Sequence, residues 1–205
     1  MIISITGKIG SGKDTIADII MQYTPYHDWE IKKFAGKLKV IAEILSGVPK
    51  INFEDQEFKK QDMGPAWGMT YRDLLQKLGT EAMRNGLHEN VWVNALFSDY
   101  NREWVSIGDN TASEDTFLDK IYPNWIITDT RFPNELEAVK THKGITIKVI
   151  RDSGNTVGTT HASETALDDY TKWDYVVDNN GSFEDLKTQI FSILEKESLL
   201  KYAGL

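Results

Sequence analysis

The stretch of sequence best equipped for chemistry is a glycine-rich run near the start of the chain. Gly7–Lys13 reads GKIGSGK and fits the pattern G-x-x-x-x-G-K. Glycines in such a run let backbone N–H groups turn inward around phosphate oxygens, and the closing lysine reaches the outer phosphates. The run lies between a strand pattern, Ile2–Thr6, and an amphipathic helix pattern, Lys13–Tyr23, as the motif requires. The predicted phosphate-binding residues are Gly7, Lys8, Gly10, Ser11, Gly12, Lys13, Asp14 and Thr15.

One position of this run is unusual, because an acid, Asp14, follows the lysine. A phosphate-binding loop ordinarily has a serine or threonine there, whose hydroxyl contacts Mg²⁺. A carboxylate could hold the ion instead, directly or through water, since Mg²⁺ prefers hard oxygen ligands. Alternatively, Asp14 is a first-turn acid that the helix dipole favours. The residue alone leaves both interpretations open.

A second candidate group ends an apolar strand pattern later in the chain. Asn124–Phe132 reads NWIITDTRF, with Asp129 and Arg131 near its carboxyl end. Open α/β sheets bind ligands at that edge. We predict that Asp129 is a ligand of Mg²⁺ or of its water, and that Arg131 neutralises a transferring phosphoryl group. Lys13, Asp129 and Arg131 are thus the candidate catalytic residues, although a surface ion pair at the strand end is the alternative.

Three further residues are candidates for binding a substrate. Arg72 lies on a predicted helix, and the planar fork of an arginine suits phosphate. Trp92 offers a ring on which a nucleobase could stack, although core packing is the more common role of a tryptophan. His161 precedes Ser163 and Glu164, a pattern that the start of a capped helix explains equally well.

Strand patterns alternate with helix patterns along much of the chain. This alternation predicts an α/β fold with a mostly parallel sheet of about five strands, covered by helices on both faces. The strand patterns are Ile2–Thr6, Trp29–Ala35, Asn124–Phe132, Ile145–Asp152 and Trp173–Asp178. The helix patterns are Lys13–Tyr23, Lys37–Gly47, Tyr71–Arg84, Glu89–Trp104, a helix beginning at Pro133 and one capped by Ser182.

Three segments interrupt the alternation. Residues 36–104 contain successive helix patterns, and we predict a helical insert that binds substrate. Residues 152–164 are polar and contain glycine, which is typical of a lid that closes over a reacting phosphate, although they lack arginine. Gly108–Asp119 has four acids and no base, so we expect an exposed loop there.

The composition limits the kind of protein that this chain can be. Its 205 residues are 40% apolar, which suffices for one core and one domain. The charge of −8 and the pI near 5.0 argue against binding duplex nucleic acid. The absence of cysteine excludes disulfides, and the four histidines lack the paired spacing of a zinc site. Because no signal peptide or long apolar run is present, we expect a cytoplasmic protein without membrane contact.

Several stretches together resemble the bacteriophage deoxynucleoside monophosphate kinase family of P-loop kinases. The resemblance covers nearly the whole chain, in order. Its motifs are GKIGSGKDTIAD (Gly7–Asp18), KFAGKLK (Lys33–Lys39), RDLLQKLGTEAMR (Arg72–Arg84), TDTRFPNELEAV (Thr128–Val139), HASE (His161–Glu164) and DNNGSFEDL (Asp178–Leu186).

The resemblance implies a three-layer P-loop NTPase fold and a specific reaction. Such an enzyme transfers the γ-phosphoryl of ATP, with Mg²⁺, to the 5′-phosphate of a deoxynucleoside monophosphate (dNMP) for DNA synthesis. The implied partners are small nucleotides, a homodimer is compatible with the family, and a phage-encoded protein would act in the host cytoplasm. Asp14 and Asp129 remain the candidate metal ligands. The resulting candidate substrate-binding residues are Phe34, Arg72, Trp92, Arg131, His161 and Glu164.

Two other functions fit parts of this pattern. A P-loop kinase for another small phosphorylated substrate, such as phosphomevalonate, shares the SGKD loop. A regulatory ATPase would use the same loop to hydrolyse ATP without an acceptor. The identity of the phosphoryl acceptor separates all three functions.

Overall fold

The computed structural model of the protein describes residues 1–101, 103–107, 117–152 and 161–200. In chain order, the strands are β1 (Ile2–Thr6), β2 (Trp29–Lys32), β3 (Glu103–Ile107), β4 (Phe117–Ile121), β5 (Asn124–Ile127), β6 (Ile145–Ile150) and β7 (Tyr175–Asp178). Within the described residues, five of them form a parallel sheet in the order β2-β5-β1-β6-β7, and β3 pairs with β4 in an antiparallel hairpin. The predicted parallel sheet is therefore confirmed.

The central strand of the sheet is β1, and its sequence explains this position. All five of its residues are buried, as expected for a strand that helices cover on both faces. Ile2 pairs with Trp125 of β5 on one side, and Ile3 pairs with Ile145 of β6 on the other. The residues that follow β1 therefore emerge at the middle of the sheet's carboxyl edge.

Helices cover both faces of this sheet. The α-helices are α1 (Lys13–Tyr23), α2 (Gly36–Ser46), α3 (Gln56–Lys59), α4 (Tyr71–Gln76), α5 (Val91–Phe97), α6 (Pro133–Thr141), α7 (Ala162–Thr165) and α8 (Phe183–Lys196). Short 3₁₀ turns lie at Pro25–His27 and Lys50–Glu54, and a π-helical segment follows α4 at Lys77–Asn85. The predicted cap is confirmed at Ser182, whose hydroxyl accepts from the Asp185 N–H at 3.2 Å.

Two apolar clusters attach the helices to the sheet. One cluster joins α1 and α8 to side chains of the strands, including Ile5 and Ile147. The other joins α2, α5 and α6 to the opposite face around Trp125 and Ile127. A third, smaller cluster around Phe53 holds the 3₁₀ turn against α2 and α4. The chain therefore forms three layers, as the sequence predicts.

The end of the helical region, the predicted insert at residues 36–104, differs from the prediction. The helix predicted over Glu89–Trp104 ends at Phe97. Ser98 then donates its hydroxyl to the Ala95 carbonyl at 2.9 Å, a local bond that competes with further helix. The chain continues into β3, which sequence periodicity did not reveal.

The predicted acidic loop and the predicted lid both lie partly outside the described residues. The last residues of the acidic stretch Gly108–Asp119 lie in β4, whereas residues 108–116 lie outside the described residues. The predicted lid, residues 152–164, falls mostly on residues 153–160, which are also outside them. Helices α2 to α5 lie within residues 36–104, and their role in binding substrate stays a prediction.

The predicted helix Tyr71–Arg84 changes its winding part-way. It is α-helical to Gln76 and π-helical from Lys77 to Asn85. In the π-helical part, Gly79 packs so closely on Leu38 that a Cβ at position 79 would lie 2.9 Å from a Leu38 methyl carbon. The Gly79 carbonyl accepts a hydrogen bond from Trp92 Nε1 at 2.8 Å. Gly79 and Arg84 of this π-helical segment line a cavity. Because π-helical turns are frequent at functional sites, this cavity is a candidate site.

Candidate active site

The glycine-rich run forms a loop between β1 and α1, in the geometry of a phosphate-binding loop. Gly10 and Gly12 have φ values of +77° and +96°, which favour glycine. Gly7 lies against β6, where a Cβ would be 2.8 Å from the Val149 carbonyl oxygen. Asn179, after β7, donates to the Ser11 carbonyl at 2.8 Å and holds the far side of the loop.

Lys13 lies across this loop at the start of α1. Its ammonium donates to the carbonyls of Gly7 at 2.8 Å and Lys8 at 2.9 Å. Burial and then the nearby Arg131 lower the pKa of Lys13, whereas Asp14 and other acids oppose this effect. Asp14 is exposed in the first helical turn and lines the adjacent cavity. The loop therefore presents a cation and an acid to the same space.

That space is a cavity of about 310 Å³ between the loop, the carboxyl end of β5 and the helical region. Its volume lies at the lower end of the range for small-molecule sites. Its cationic lining residues are Lys13, Lys33, Lys39, Lys59, Arg72, Arg84 and Arg131. Its acidic lining residues are Asp14, Glu54, Asp129, Glu135 and Glu164. In a chain with a charge of −8, this local surplus of positive charge favours the binding of an anion.

Asp129 lies just after β5 and fixes the start of the helical region. Its two carboxylate oxygens accept hydrogen bonds from the backbone N–H groups of Phe34 at 2.8 Å and Ala35 at 2.9 Å. Burial raises the pKa of Asp129, and these two hydrogen bonds oppose the rise. Its predicted contact with a metal stays a prediction, whereas its structural role was not predicted from the sequence.

Arg131 is connected to α7 on the other side of the cavity. Its guanidinium forms an ion pair with Glu164 and donates to the Ser163 carbonyl at 3.2 Å. Lys8 of the phosphate loop donates to the Glu164 carbonyl at 2.8 Å and pairs with Asp168. Two cations predicted to contact phosphates are thus held by the short helix that carries the HASE motif.

A buried ion pair that the sequence did not predict supports this end of β5. Arg84 and Glu135 are 8% and 3% exposed and lie 2.7 Å apart. The second oxygen of Glu135 accepts from the Arg131 backbone N–H at 2.7 Å. Burial raises the pKa of Glu135 to about 7, although the Arg131 N–H and the charge of Arg84 oppose it. The available sequence signal was the position of Glu135 three residues after Phe132, where an acid caps a helix.

The wall of the cavity formed by the helical region has its own charge cluster. Glu54 accepts from Lys33 at 2.8 Å and from Lys39 at 2.6 Å. Partial burial disfavours its ionised form, but these two hydrogen bonds outweigh burial and lower the pKa of Glu54 to about 2. Arg72 donates to the neutral side chain of Gln56 at 3.0 Å. Arg72 therefore keeps its charge available to a ligand.

Five of the six candidate substrate-binding residues line the cavity. Phe34, Arg72, Trp92 and Glu164 line the cavity together with Arg131. Trp92 is also 5% exposed and packed in the core, which agrees with the alternative interpretation of this residue. His161 is not among the lining residues. It caps α7, where its Nδ1 accepts from the Ser163 N–H at 3.2 Å.

Comparison with known proteins identifies the family. A family model described as deoxynucleotide monophosphate kinase matches residues 50–190, more than two thirds of the chain. The chain belongs to the deoxynucleotide monophosphate kinase family. It is therefore a phosphotransferase, and the resemblance predicted from the sequence is confirmed. The match excludes the phosphate loop, so it is independent of that motif.

Two viral relatives of this kinase extend the comparison. A protein of Acanthamoeba polyphaga mimivirus that carries the same name provisionally is 28% identical over 206 residues, 97% of this chain and 98% of that protein. The deoxynucleotide monophosphate kinase of enterobacteria phage T4 is 30% identical over 127 residues, 60% of this chain and 45% of the phage protein.

Solved structures similar to this kinase include two shikimate kinases. The enzyme from Aquifex aeolicus VF5 is 15% identical with a TM-score of 0.41, over 98% of this chain and 99% of that one. The enzyme from Bacteroides thetaiotaomicron is 12% identical with a TM-score of 0.39, over 97% and 98% of the two chains.

The described part of the chain lacks two further features. Across residues 1–101, 103–107, 117–152 and 161–200, no helix is long and apolar enough to cross a membrane. The same ranges contain no group of three or more His, Asp or Glu side chains placed to hold a metal ion.

Proposed function

We propose that this kinase transfers the γ-phosphoryl of ATP to the 5′-phosphate of a dNMP and so forms the diphosphate. The observation that carries the proposal is the arrangement of the cavity. The phosphate loop with Lys13 forms one wall, and the cation cluster that includes Arg72 forms another. Two phosphate groups can therefore occupy one cavity, each facing its own cations.

The donor side of the proposal rests on the phosphate loop. A glycine-rich loop that leads into a helix start, here α1, suits the β- and γ-phosphates of ATP. Lys13 would exchange its two carbonyl partners for phosphate oxygens, which are stronger acceptors because they carry charge. The loop residues from Gly7 to Thr15 are thus the proposed donor-binding residues.

The acceptor side rests on the helical region. Arg72 is proposed to bind the 5′-phosphate of the dNMP, since its guanidinium pairs only with the neutral Gln56 among the described residues. Phe34, Leu38 and Trp92 supply apolar surface in the same cavity, which suits a nucleobase. We propose residues 36–104 as the substrate-binding insert on this ground.

The residues of the cavity also fit a magnesium ion. In nucleotide enzymes Mg²⁺ is commonly bound by one or two carboxylates together with substrate phosphates. Asp14 and Asp129 line the same cavity as Lys13 and would hold the ion. The two backbone N–H bonds from Phe34 and Ala35 hold the Asp129 carboxylate in place at this position. When bound, the ion neutralises negative charge on the phosphates.

The proposed chemistry needs no general base. An oxygen of the acceptor phosphate is already a nucleophile and forms the new bond to the γ-phosphorus, while the bond to the β–γ bridging oxygen breaks and ADP leaves. The protein holds the two reactants in line and neutralises their charge with Lys13 and Arg131. Glu164 would keep the Arg131 guanidinium oriented.

An assay of ADP release tests this function. ATP is offered with Mg²⁺ and a panel of dNMPs, NMPs and phosphomevalonate, and we expect rapid turnover with one or more dNMPs. Lys13→Ala should lower that rate at least about 100-fold while the circular dichroism spectrum is kept. Lys196→Ala, an exposed change outside the cavity, is the control. Turnover with phosphomevalonate alone, or ADP release without any acceptor, would contradict the proposal.

A further inference from the structure

One cation in the cavity has no partner within the described residues. Lys59 is the last residue of α3, is half-buried and lines the cavity. It has no ion pair and no side-chain hydrogen bond in the described part of the chain. Its neighbour Lys60, in contrast, is exposed, lies outside the lining and pairs with Glu57 at 2.7 Å. A partly desolvated charge without a counter-ion costs stability, so a ligand is the natural reason for its position.

The surroundings of Lys59 indicate the charge of that ligand. The described groups that act on its charge are Lys39, Arg72 and Arg131, which repel it, and Glu54, which attracts it. Glu54 is already shared between Lys33 and Lys39. Positive charge therefore exceeds negative charge on this wall, and a multiply charged anion would relieve the repulsion.

We propose that Lys59 binds the 5′-phosphate of the acceptor directly, beside Arg72. This inference rests on the proposed function and adds a residue that the sequence motifs do not contain. A phosphate monoester carries nearly two negative charges at neutral pH, which suits two adjacent cations. The lysine ammonium supplies up to three donors as a point charge, whereas the arginine supplies a planar fork.

The same position makes acceptor binding depend on pH. Burial and then the charges of Lys39 and Arg72 lower the pKa of Lys59 to about 8. Arginine side chains in general keep their charge in proteins, and the low pKa of Glu54 keeps its carboxylate ionised. Above about pH 8 the free enzyme would lose the Lys59 proton, so kcat/KM for the acceptor should fall by about tenfold per pH unit.

The test measures steady-state kinetics for the best dNMP at saturating ATP. Lys59→Met should raise the acceptor KM by roughly 10- to 100-fold, the range for a charge-assisted hydrogen bond, and leave the ATP KM unchanged. Lys60→Met, the same change one residue along the chain, should leave both constants unchanged. Lys59→Arg should restore most of the acceptor affinity and abolish the fall in kcat/KM between about pH 8 and pH 9.5.

Isothermal titration calorimetry measures the affinity of each variant for the dNMP alone, and circular dichroism shows whether the variant is folded. A folded Lys59→Met that binds dNMP as tightly as Lys60→Met would overturn the role of Lys59 while wild-type turnover leaves the proposed function intact. An equal rise in the KM of ATP and of the acceptor, or a pH profile that Lys59→Arg does not change, would also overturn it. Absence of wild-type turnover with every dNMP would overturn the proposed function and this inference together.

Discussion

The phosphate loop allows backbone strain to be separated from steric overlap. Gly10 and Gly12 both have positive φ values. A Cβ at Gly10 would meet nothing within 4 Å, whereas one at Gly12 would lie 2.4 Å from Asn179 Nδ2. Alanine at position 10 therefore adds strain alone, and alanine at position 12 adds strain and a clash with the side chain that binds the Ser11 carbonyl.

The structure gives a magnitude for each effect. Gly10→Ala should cost about 1 to 2 kcal/mol of unfolding free energy, the usual cost of left-handed backbone outside glycine. Gly12→Ala should cost about 2 to 4 kcal/mol, because the side chain of Asn179 must also turn away and lose its hydrogen bond to the Ser11 carbonyl. In the Asn179→Ala background the clash is absent, so Gly12→Ala should there cost about as little as Gly10→Ala.

Urea denaturation of the four proteins of this double-mutant cycle measures the coupling, with Gly10→Ala as the matched control. We expect a coupling free energy of about 1 to 2 kcal/mol between positions 12 and 179. An equal cost of Gly12→Ala in both backgrounds would refute the reasoning, because the cost would then come from the backbone alone.

Two further changes test the supports of the cavity. Trp92→Phe removes the hydrogen bond to the Gly79 carbonyl and leaves a buried acceptor, so it should cost about 2 to 3 kcal/mol in urea denaturation, against less than about 0.5 kcal/mol for Trp67→Phe at a more exposed site. Arg84→Met should cost about 3 to 5 kcal/mol at pH 8.5, because it leaves Glu135 buried without its cation. Burial raises the pKa of Glu135 from 4.5 to about 7, so the stability that Glu135 contributes is lost as the pH rises through this range. At pH 6 the carboxyl group can stay protonated and uncharged without Arg84, so the cost of Arg84→Met should be smaller there than at pH 8.5. A cost of Arg84→Met that does not vary with pH, or equal costs of the two tryptophan changes, would contradict these assignments.

The sequence predicted the elements whose signals are local. The bounds of β1 and α1 are those predicted, because the apolar run and the glycine turn mark them in the local sequence. The hairpin of β3 and β4 was missed, since its strands are stabilised by pairing with each other. The π-helical winding after Gln76 was missed as well, because it accompanies contacts with Leu38 and Trp92.

The cavity could be predicted from sequence only in part for a similar reason. The phosphate loop and the strand end at Asp129 have recognisable motifs, whereas Lys59 and Arg84 carry no local signature. Their roles depend on burial and on neighbours elsewhere in the chain, such as Glu135 beside Arg84 and Lys39 near Lys59. The bonds of Asp129 to the Phe34 and Ala35 backbone likewise join segments that sequence patterns treat separately.

The central place of β1 in the sheet has a consequence for the order of folding. Its two neighbours, β5 and β6, begin about 120 and 140 residues further along the chain, as the pairings of Ile2 with Trp125 and Ile3 with Ile145 show. During synthesis, β1 therefore cannot pair with its neighbours until most of the polypeptide has been made. The loop that follows it gains its shape only then, so nucleotide binding should be a late event in folding and cannot guide the earlier steps.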